Sequence, residues 1–214
     1  MATELAQDYA AEFHREWTAA ENTPVEFPPL DVNALIRRHH RVGGDVVVTH
    51  SMVWDMLVRK AYTPETYLPG RIRPGSARTY STEEPDFVQV SDQRLWTDES
   101  RYTPVIQRVF VDQDRRAVFH LGTAHLTTPD GAYEWAGVEQ PLFHLEYVVT
   151  GGELRPVLRR RVVHLTDAYD SRLSWHFARL VREQTLIEVF EIYLRLQWGI
   201  ELSASTAVRL PAPA

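Results

Sequence analysis

From Ala117 to Thr166 apolar and polar positions alternate with a period of two, and two short clusters of turn-forming residues interrupt them. That pattern predicts consecutive antiparallel strands. In Thr128-Pro129-Asp130-Gly131, Pro129 presets φ, Asp130 can accept from its own backbone and Gly131 takes a positive φ, so the four residues form a hairpin turn. Pairing Thr128 with Ala132 sets His125 opposite Trp135, Thr123 opposite Gly137, Leu121 opposite Glu139 and Phe119 opposite Pro141. Gly151-Gly152 is a second hairpin signal. Pairing Thr150 with Glu153 sets Tyr147 against Pro156, Leu145 against Leu158, Phe143 against Arg160 and Glu139 against His164. Because side chains alternate across a strand, both hairpins place the odd-numbered residues of the shared strand on one face.

That face carries Phe119, Leu121, Trp135, Phe143, Leu145, Tyr147, Val149, Leu158 and Val162, and is the one expected to be buried. Four polar residues intrude on it: His125, Glu139, Arg160 and His164. The opposite face carries His144, Glu146, Arg155, Arg159 and Arg161, a pattern that reads as an exposed charge ladder of small energetic value. His144 and Glu146 are therefore read as surface residues and not as a metal pair.

The remaining elements follow from the same kind of pattern. Leu5, Tyr9, Phe13 and Trp17 recur every fourth position and predict an amphipathic helix over 3–20, packed on the domain or on a partner. Pro24, Pro28 and Pro29 make the next segment an extended connector. Asp31 is positioned to cap a second helix, which Gly43-Gly44 stops, and Ser51 or Thr49 to cap a third that runs to Tyr62. Val46-Val47-Val48 reads as a possible strand. Residues 63–85, rich in Pro, Gly, Ser and Thr, form a long loop in which Tyr67, Arg71, Arg73 and Arg78 are candidate anion or substrate contacts. Strands follow at 87–90, 95–96 and 105–111. A helix from Asp170 to Gly199, apolar nearly all round in its second half, is sandwiched in the fold or forms a dimer contact.

The expected organisation is one α+β domain over 1–202: a helical part at 1–62, the loop at 63–85, a curved antiparallel β-meander of five to six strands at 86–166 that encloses a cavity, and a long C-terminal helix at 170–199. Residues 203–214 read as a flexible tail. With 214 residues, 44% hydrophobic and 24% charged, the chain can bury an ordinary core. A net charge of −6 argues against a nucleic-acid surface, which needs basic patches. The absence of cysteine excludes disulfides, thiolate metal sites and a Cys nucleophile. Neither a signal peptide nor an apolar run long enough to span a membrane is present in the sequence, so the expected location is cytoplasmic. Only Lys60 of the 23 basic residues is lysine, which reflects a genomic codon bias and leaves little material for Schiff-base chemistry.

Glu139 opposite His164 on an apolar face is a constellation suited to general acid/base catalysis, the carboxylate raising and burial lowering the imidazole pKa. His125 is a second acid/base candidate. Arg160 could hold a carboxylate or an enolate oxygen and Tyr147 could donate a hydrogen bond, with Trp135, Phe143 and Phe119 as aromatic walls. The competing reading is a buried, mutually satisfied polar cluster. His39, His40 and His50 lack the spacing of a metal-binding helix motif, and no metal is expected. No phosphate loop, nucleophile elbow or dinucleotide fingerprint occurs, so no cofactor is expected.

Helices first, then a curved antiparallel sheet, then a long closing helix: this element order resembles in outline the cone-shaped cyclase and dehydratase folds (SnoaL-like) and the helix-grip folds, in which a C-terminal helix lies across a sheet. No motif carries the resemblance. The N-terminal helices suit the cone and the closing helix suits the grip. Both host polyketide cyclases, which implies a cofactor-independent cyclisation, dehydration or isomerisation of a small hydrophobic molecule in specialised metabolism. The alternative is a non-catalytic ligand-binding or assembly subunit that forms a homodimer through its terminal helices.

Overall fold

A computed structural model describes residues 2–41, 46–83, 86–183 and 186–204. In chain order the elements are α1 (Ala2–Thr18), β1 (Thr23–Asp31), α2 (Val32–His39), β2 (His40–Arg41), α3 (His50–Tyr62), α4 (Pro64–Tyr67), β3 (Arg78–Glu83), β4 (Asp86–Arg94), β5 (Tyr102–Asp112), β6 (Ala117–Gly122), β7 (His125–Thr127), β8 (Tyr133–Trp135), β9 (Phe143–Gly152), β10 (Arg155–His164), α5 (Ser171–Glu183), α6 (Ile187–Trp198) and β11 (Ser203–Ala204). Seven strands form one antiparallel sheet in the order β1-β10-β9-β6-β5-β4-β3. Five of them (β4, β5, β6, β9 and β10) fall in the expected meander, and β1 and β3 are added at its two edges.

The segment read as a proline connector is therefore a strand. Its prolines are tolerated because β1 lies at a sheet edge and pairs on one side only, and the register slips between Phe27 and Leu30 where Pro28 and Pro29 sit. The loop expected at 63–85 contains α4, a bridge between Ile72 and Gln93, and the other edge strand β3. The helix expected over 170–199 is two helices, with residues 184–185 at the junction outside the described set. Gly199 at φ 64° ends the second. Residues 46–49 form no strand: Asn33 holds Val48 through two 2.9 Å hydrogen bonds, one to its N–H and one to its carbonyl. Of the expected tail, Ser203–Ala204 pairs with β2, and 205–214 lies outside the described residues.

Both faces of the sheet are covered. On the convex face Tyr9 and Phe13 of α1 pack on Phe110, Ala117, Phe119, Leu121 and Val163. On the concave face α2, α3, α4 and α6 build the largest cluster over Phe87, Val109, Val118, Val149 and Leu158, while Phe177 of α5 packs on Phe27, Phe143 and Val162. The apolar excess of α6 is absorbed by α2, α3 and α4, leaving Leu196 and Trp198 exposed. Asp31 and Thr49 cap α2 and α3, their side chains accepting from the N–H groups of Ala34 and Met52.

The registers correct the expected facing. The first turn is as read: the Thr128 N–H donates to the Ala132 carbonyl and His125 pairs with Trp135. That hairpin, however, is a separate two-stranded sheet. Residues 136–142 leave it as a loop, in which Gly137 passes so close to β5 that a Cβ there would lie 1.7 Å from Thr103 Oγ1. Strand β6 then pairs with β9, Phe119 opposite Glu146 and Leu121 opposite His144. An odd residue now opposes an even one, so Phe119 and Leu121 fall on the convex face while Phe143, Leu145 and Tyr147 remain on the concave face. The second turn closes at Glu153-Leu154, after Gly151 at φ 86°, and this moves the partner of Tyr147 from Pro156 to Arg160. His164 pairs with Phe143, not with Glu139.

The convex face is not an exposed ladder either. His144 is 2% exposed beneath α1, its Nδ1 accepting from the Gly122 N–H, and Glu146 accepts from Arg161 at 2.6 Å.

Candidate functional site

A cavity of about 150 Å³ lies on the concave side. Its walls come from β1 (Phe27), the segment around α4 (Leu68, Arg71), β4 and the turn after it (Gln93, Arg94, Trp96), β9 (Phe143, Leu145, Tyr147), β10 (Arg160), and the closing helical region (Phe177, Leu186). The alternation of β9 points Phe143, Leu145 and Tyr147 to the same side. Apart from Gln93 and the indole of Trp96, the polar side chains in this wall are a phenol and three guanidinium groups, and among the described residues no carboxylate lines it.

Arg160 lies directly opposite Tyr147. Its guanidinium carbon sits 4.5 Å from the centre of the Phe27 ring, and its Nε is buried without a hydrogen-bond partner among the described groups. Burial lowers its pKa, and Tyr147 opposes that. An arginine stays charged under any ordinary shift, so the cavity contains a fixed cation that pairs with no carboxylate among the described residues. Arg71 reaches Glu99 at 3.4 Å through Nη2, while its Nη1 is buried and unpaired. Arg94 donates to the Gly70 carbonyl at 2.7 Å and lies 4.8 Å from the Tyr102 ring centre.

Lys60 of α3 places Nζ 3.9 Å from the centre of the Tyr147 ring. His120 of β6 meets the same ring edge-on with centroids 6.0 Å apart. Burial raises the Tyr147 phenol, but Lys60 and Arg160 together outweigh it, so the hydroxyl is more acidic than an ordinary phenol. His120 is held neutral: burial, reinforced by Lys60, lowers it to about 3.

The predicted site residues divide into three groups. Phe143, Tyr147 and Arg160 meet at the cavity. His164 is close by but fully buried, its Nδ1 3.3 Å from the Thr23 carbonyl and its ring packed on Trp96, Phe143 and Phe177. Burial lowers its pKa to about 4, so it is neutral near pH 7. The others lie elsewhere. Glu139 is exposed in the 136–142 loop and accepts from Thr103 at 2.7 Å, which lowers its pKa; it does not pair with His164. His125 and Trp135 stack on each other on the outlying hairpin, where Trp135 is exposed, and Phe119 packs against Phe13 under α1. The first-named pair of the sequence reading is thus separated because residues 136–142 are not strand.

Of the loop candidates, Arg71 lines the cavity, Tyr67 is buried in the core, Arg73 lies over Tyr102, and Arg78 pairs with Glu134 at 2.5 Å. His40 Nε2 meets Glu191 at 2.8 Å, and among the described residues no three His, Asp or Glu side chains gather as a metal site would require. No described helix is long and apolar enough to cross a membrane.

Lys60, His120 and Trp96 were missed. Lys60 gave a signal: with Val53, Leu57 and Ala61 it occupies the buried side of α3, where a charge is out of place. His120 follows from register alone, since it shares a face with Leu145 only once β6 is paired to β9.

No family model and no curated protein matches the chain by sequence. Among solved structures it is similar to the Zhui aromatase/cyclase from Streptomyces sp. R1128, with a TM-score of 0.51 and 12% identity over 84% of this chain and 98% of that one. It is likewise similar to Ara h 8.0201, with a TM-score of 0.52 and 8% identity over 81% of this chain and 98% of that one. At these identities the likeness is one of fold. Of the two architectures that the element order resembles, the chain has the helix-grip arrangement.

Proposed function

We propose that the protein is a cofactor-independent enzyme of specialised, polyketide-like metabolism, which cyclises, dehydrates or isomerises a small hydrophobic molecule with an enolisable carbonyl. The observation that carries this reading is the cross-strand pair Tyr147 and Arg160 at a largely apolar cavity that no carboxylate lines among the described residues. The shared fold with an aromatase/cyclase supports the reaction class by analogy.

Tyr147, as phenolate, takes the proton from a carbon next to a carbonyl. The C–H electron pair moves into the enolate, whose oxygen faces the Arg160 guanidinium. In a cyclisation the enolate carbon attacks a second carbonyl of the same molecule, and the resulting alkoxide recovers the proton from Tyr147. Loss of water then gives the unsaturated ring, with no oxidant or reductant consumed. The largely apolar wall strengthens these charge interactions relative to water. Glu139 and His164 have no part in this scheme.

The test is exchange of the acidic C–H protons of 1,3-diketones and aryl ketones for deuterium, followed by NMR. The wild type exchanges them faster than buffer does. Tyr147→Phe loses a factor of about 10² to 10⁴, the range of a general base, while retaining the fold. Binding without exchange in the wild type would establish the non-catalytic alternative instead.

A further inference from the structure

Lys60 is the chain's one lysine, and it is 5% exposed. Its ammonium lies against Tyr147, and among the described residues it pairs with no carboxylate. A buried charge without a counter-charge is costly. The groups that surround the Tyr147 ring are Lys60 from α3, His120 from β6 and Arg160 from β10, with Arg71 and Arg94 in the wall of the same cavity. Every charged side chain in that set is a cation. The negative partner that would complete it is a Tyr147 phenolate, with Lys60 at its ring and Arg160 as its cross-strand neighbour. A lysine suits the inner position because its ammonium is a compact point charge, whereas the planar guanidinium fork of arginine needs several acceptors in one plane.

We propose that Lys60 is a positioning residue that holds Tyr147 as the phenolate, so that the proton acceptor of this site is the Lys60–Tyr147 pair and not Tyr147 alone. The inference rests on the reading of Tyr147 given above. The more acidic hydroxyl described there accords with this arrangement. The charge count closes through the reaction: when the phenolate takes the substrate proton the negative charge passes to the enolate, which stays within reach of Arg160, and the net charge of the site is unchanged.

The test needs no substrate. The tyrosinate absorbance of the wild type is titrated against Tyr147→Phe, so that the difference isolates one of the nine tyrosines. The expected difference is a tyrosinate formed below the ordinary phenol value of about 10. In Lys60→Met its midpoint moves up by a unit or more, and in Lys60→Arg part of that shift is recovered, with circular dichroism establishing that each variant is folded. A difference titration with no step below about pH 10, or a midpoint that ignores Lys60→Met, overturns the proposal. A midpoint that moves as expected in a protein that exchanges no substrate proton supports the pair and removes the reaction proposed above.

Discussion

Arg160 stands directly opposite Tyr147 across β9 and β10, with its guanidinium over Phe27 and its Nε buried without an acceptor among the described residues. Such a group is retained at the expense of stability. The double variant Arg160→Met/Tyr147→Phe, which leaves neither ionic group alone, should keep the melting temperature equal or higher, since exchanging buried ionic groups together for apolar ones of similar size is neutral or stabilising by about 1–4 kcal/mol. The single variant Arg160→Met should bind an aromatic carboxylate such as benzoate about 10- to 100-fold more weakly, the worth of one charged hydrogen bond. Calorimetric titration beside a thermal melt reads both. A double variant that melts far below the wild type would mean that the pair supports the fold and not a ligand.

Trp96 separates the inner cavity from an outer pocket of about 570 Å³ between the turn after β4 and helix α5, and it lines both. A cavity of about 150 Å³ holds roughly a benzene-sized molecule, whereas ligand sites usually run to about 300–1,000 Å³. Trp96→Ala should join the two spaces and extend binding from one-ring to two- and three-ring phenols, at a stability cost of about 3 kcal/mol. Calorimetry across that size series is the measurement. An unchanged size preference would show that the outer pocket is not continuous with the site.

What the sequence disclosed depended on how local the cause was. The caps Asp31 and Thr49 and the turn from Thr128 to Ala132 are decided within four residues and were legible. The pairing of β6 with β9 is decided by a loop whose course depends on Gly137 fitting against Thr103, a contact far apart in sequence. Because the resulting offset is odd, it reversed the facing of Phe119, while Glu139 left the site with the loop and His125 with the separate hairpin. The β9–β10 offset is even, so Phe143, Tyr147 and Arg160 kept their face although their partners changed. Three prolines concealed β1 because propensity argues against strand, and an edge position overrides it. Lys60 was discounted as a lone lysine, although its helical spacing already placed it inward.

The amphipathic stripe of α1 found its partner on the sheet face that the sequence reading left to solvent. Phe13 is 1% exposed and packs on Trp17 and Phe119. Phe13→Ala should therefore destabilise the protein by about 3–5 kcal/mol, whereas Trp135→Ala on the outlying hairpin should change stability by less than about 0.5 kcal/mol. Urea melts of the two variants side by side decide the matter. Comparable losses would place the hairpin, not α1, among the elements that hold the sheet.

Acid stability should report the buried imidazoles. In the unfolded chain a histidine titrates near 6.5; in the fold burial lowers His164 to about 4 and, with Lys60 adding to it, His120 to about 3. Between those values the unfolded chain binds more protons, so stability rises with pH across the window. The contribution is complete above about pH 6.5 and is lost as the pH falls towards 4 for His164 and towards 3 for His120, on the order of 3 kcal/mol for the first and 5 kcal/mol for the second. His164→Leu should flatten the dependence between pH 6.5 and 4 in chemical melts. Lys60→Met should shrink the His120 share as well, because one of the two causes of that shift is gone. If both variants lose stability with acid as steeply as the wild type does, carboxylates and not these imidazoles govern the acid limb.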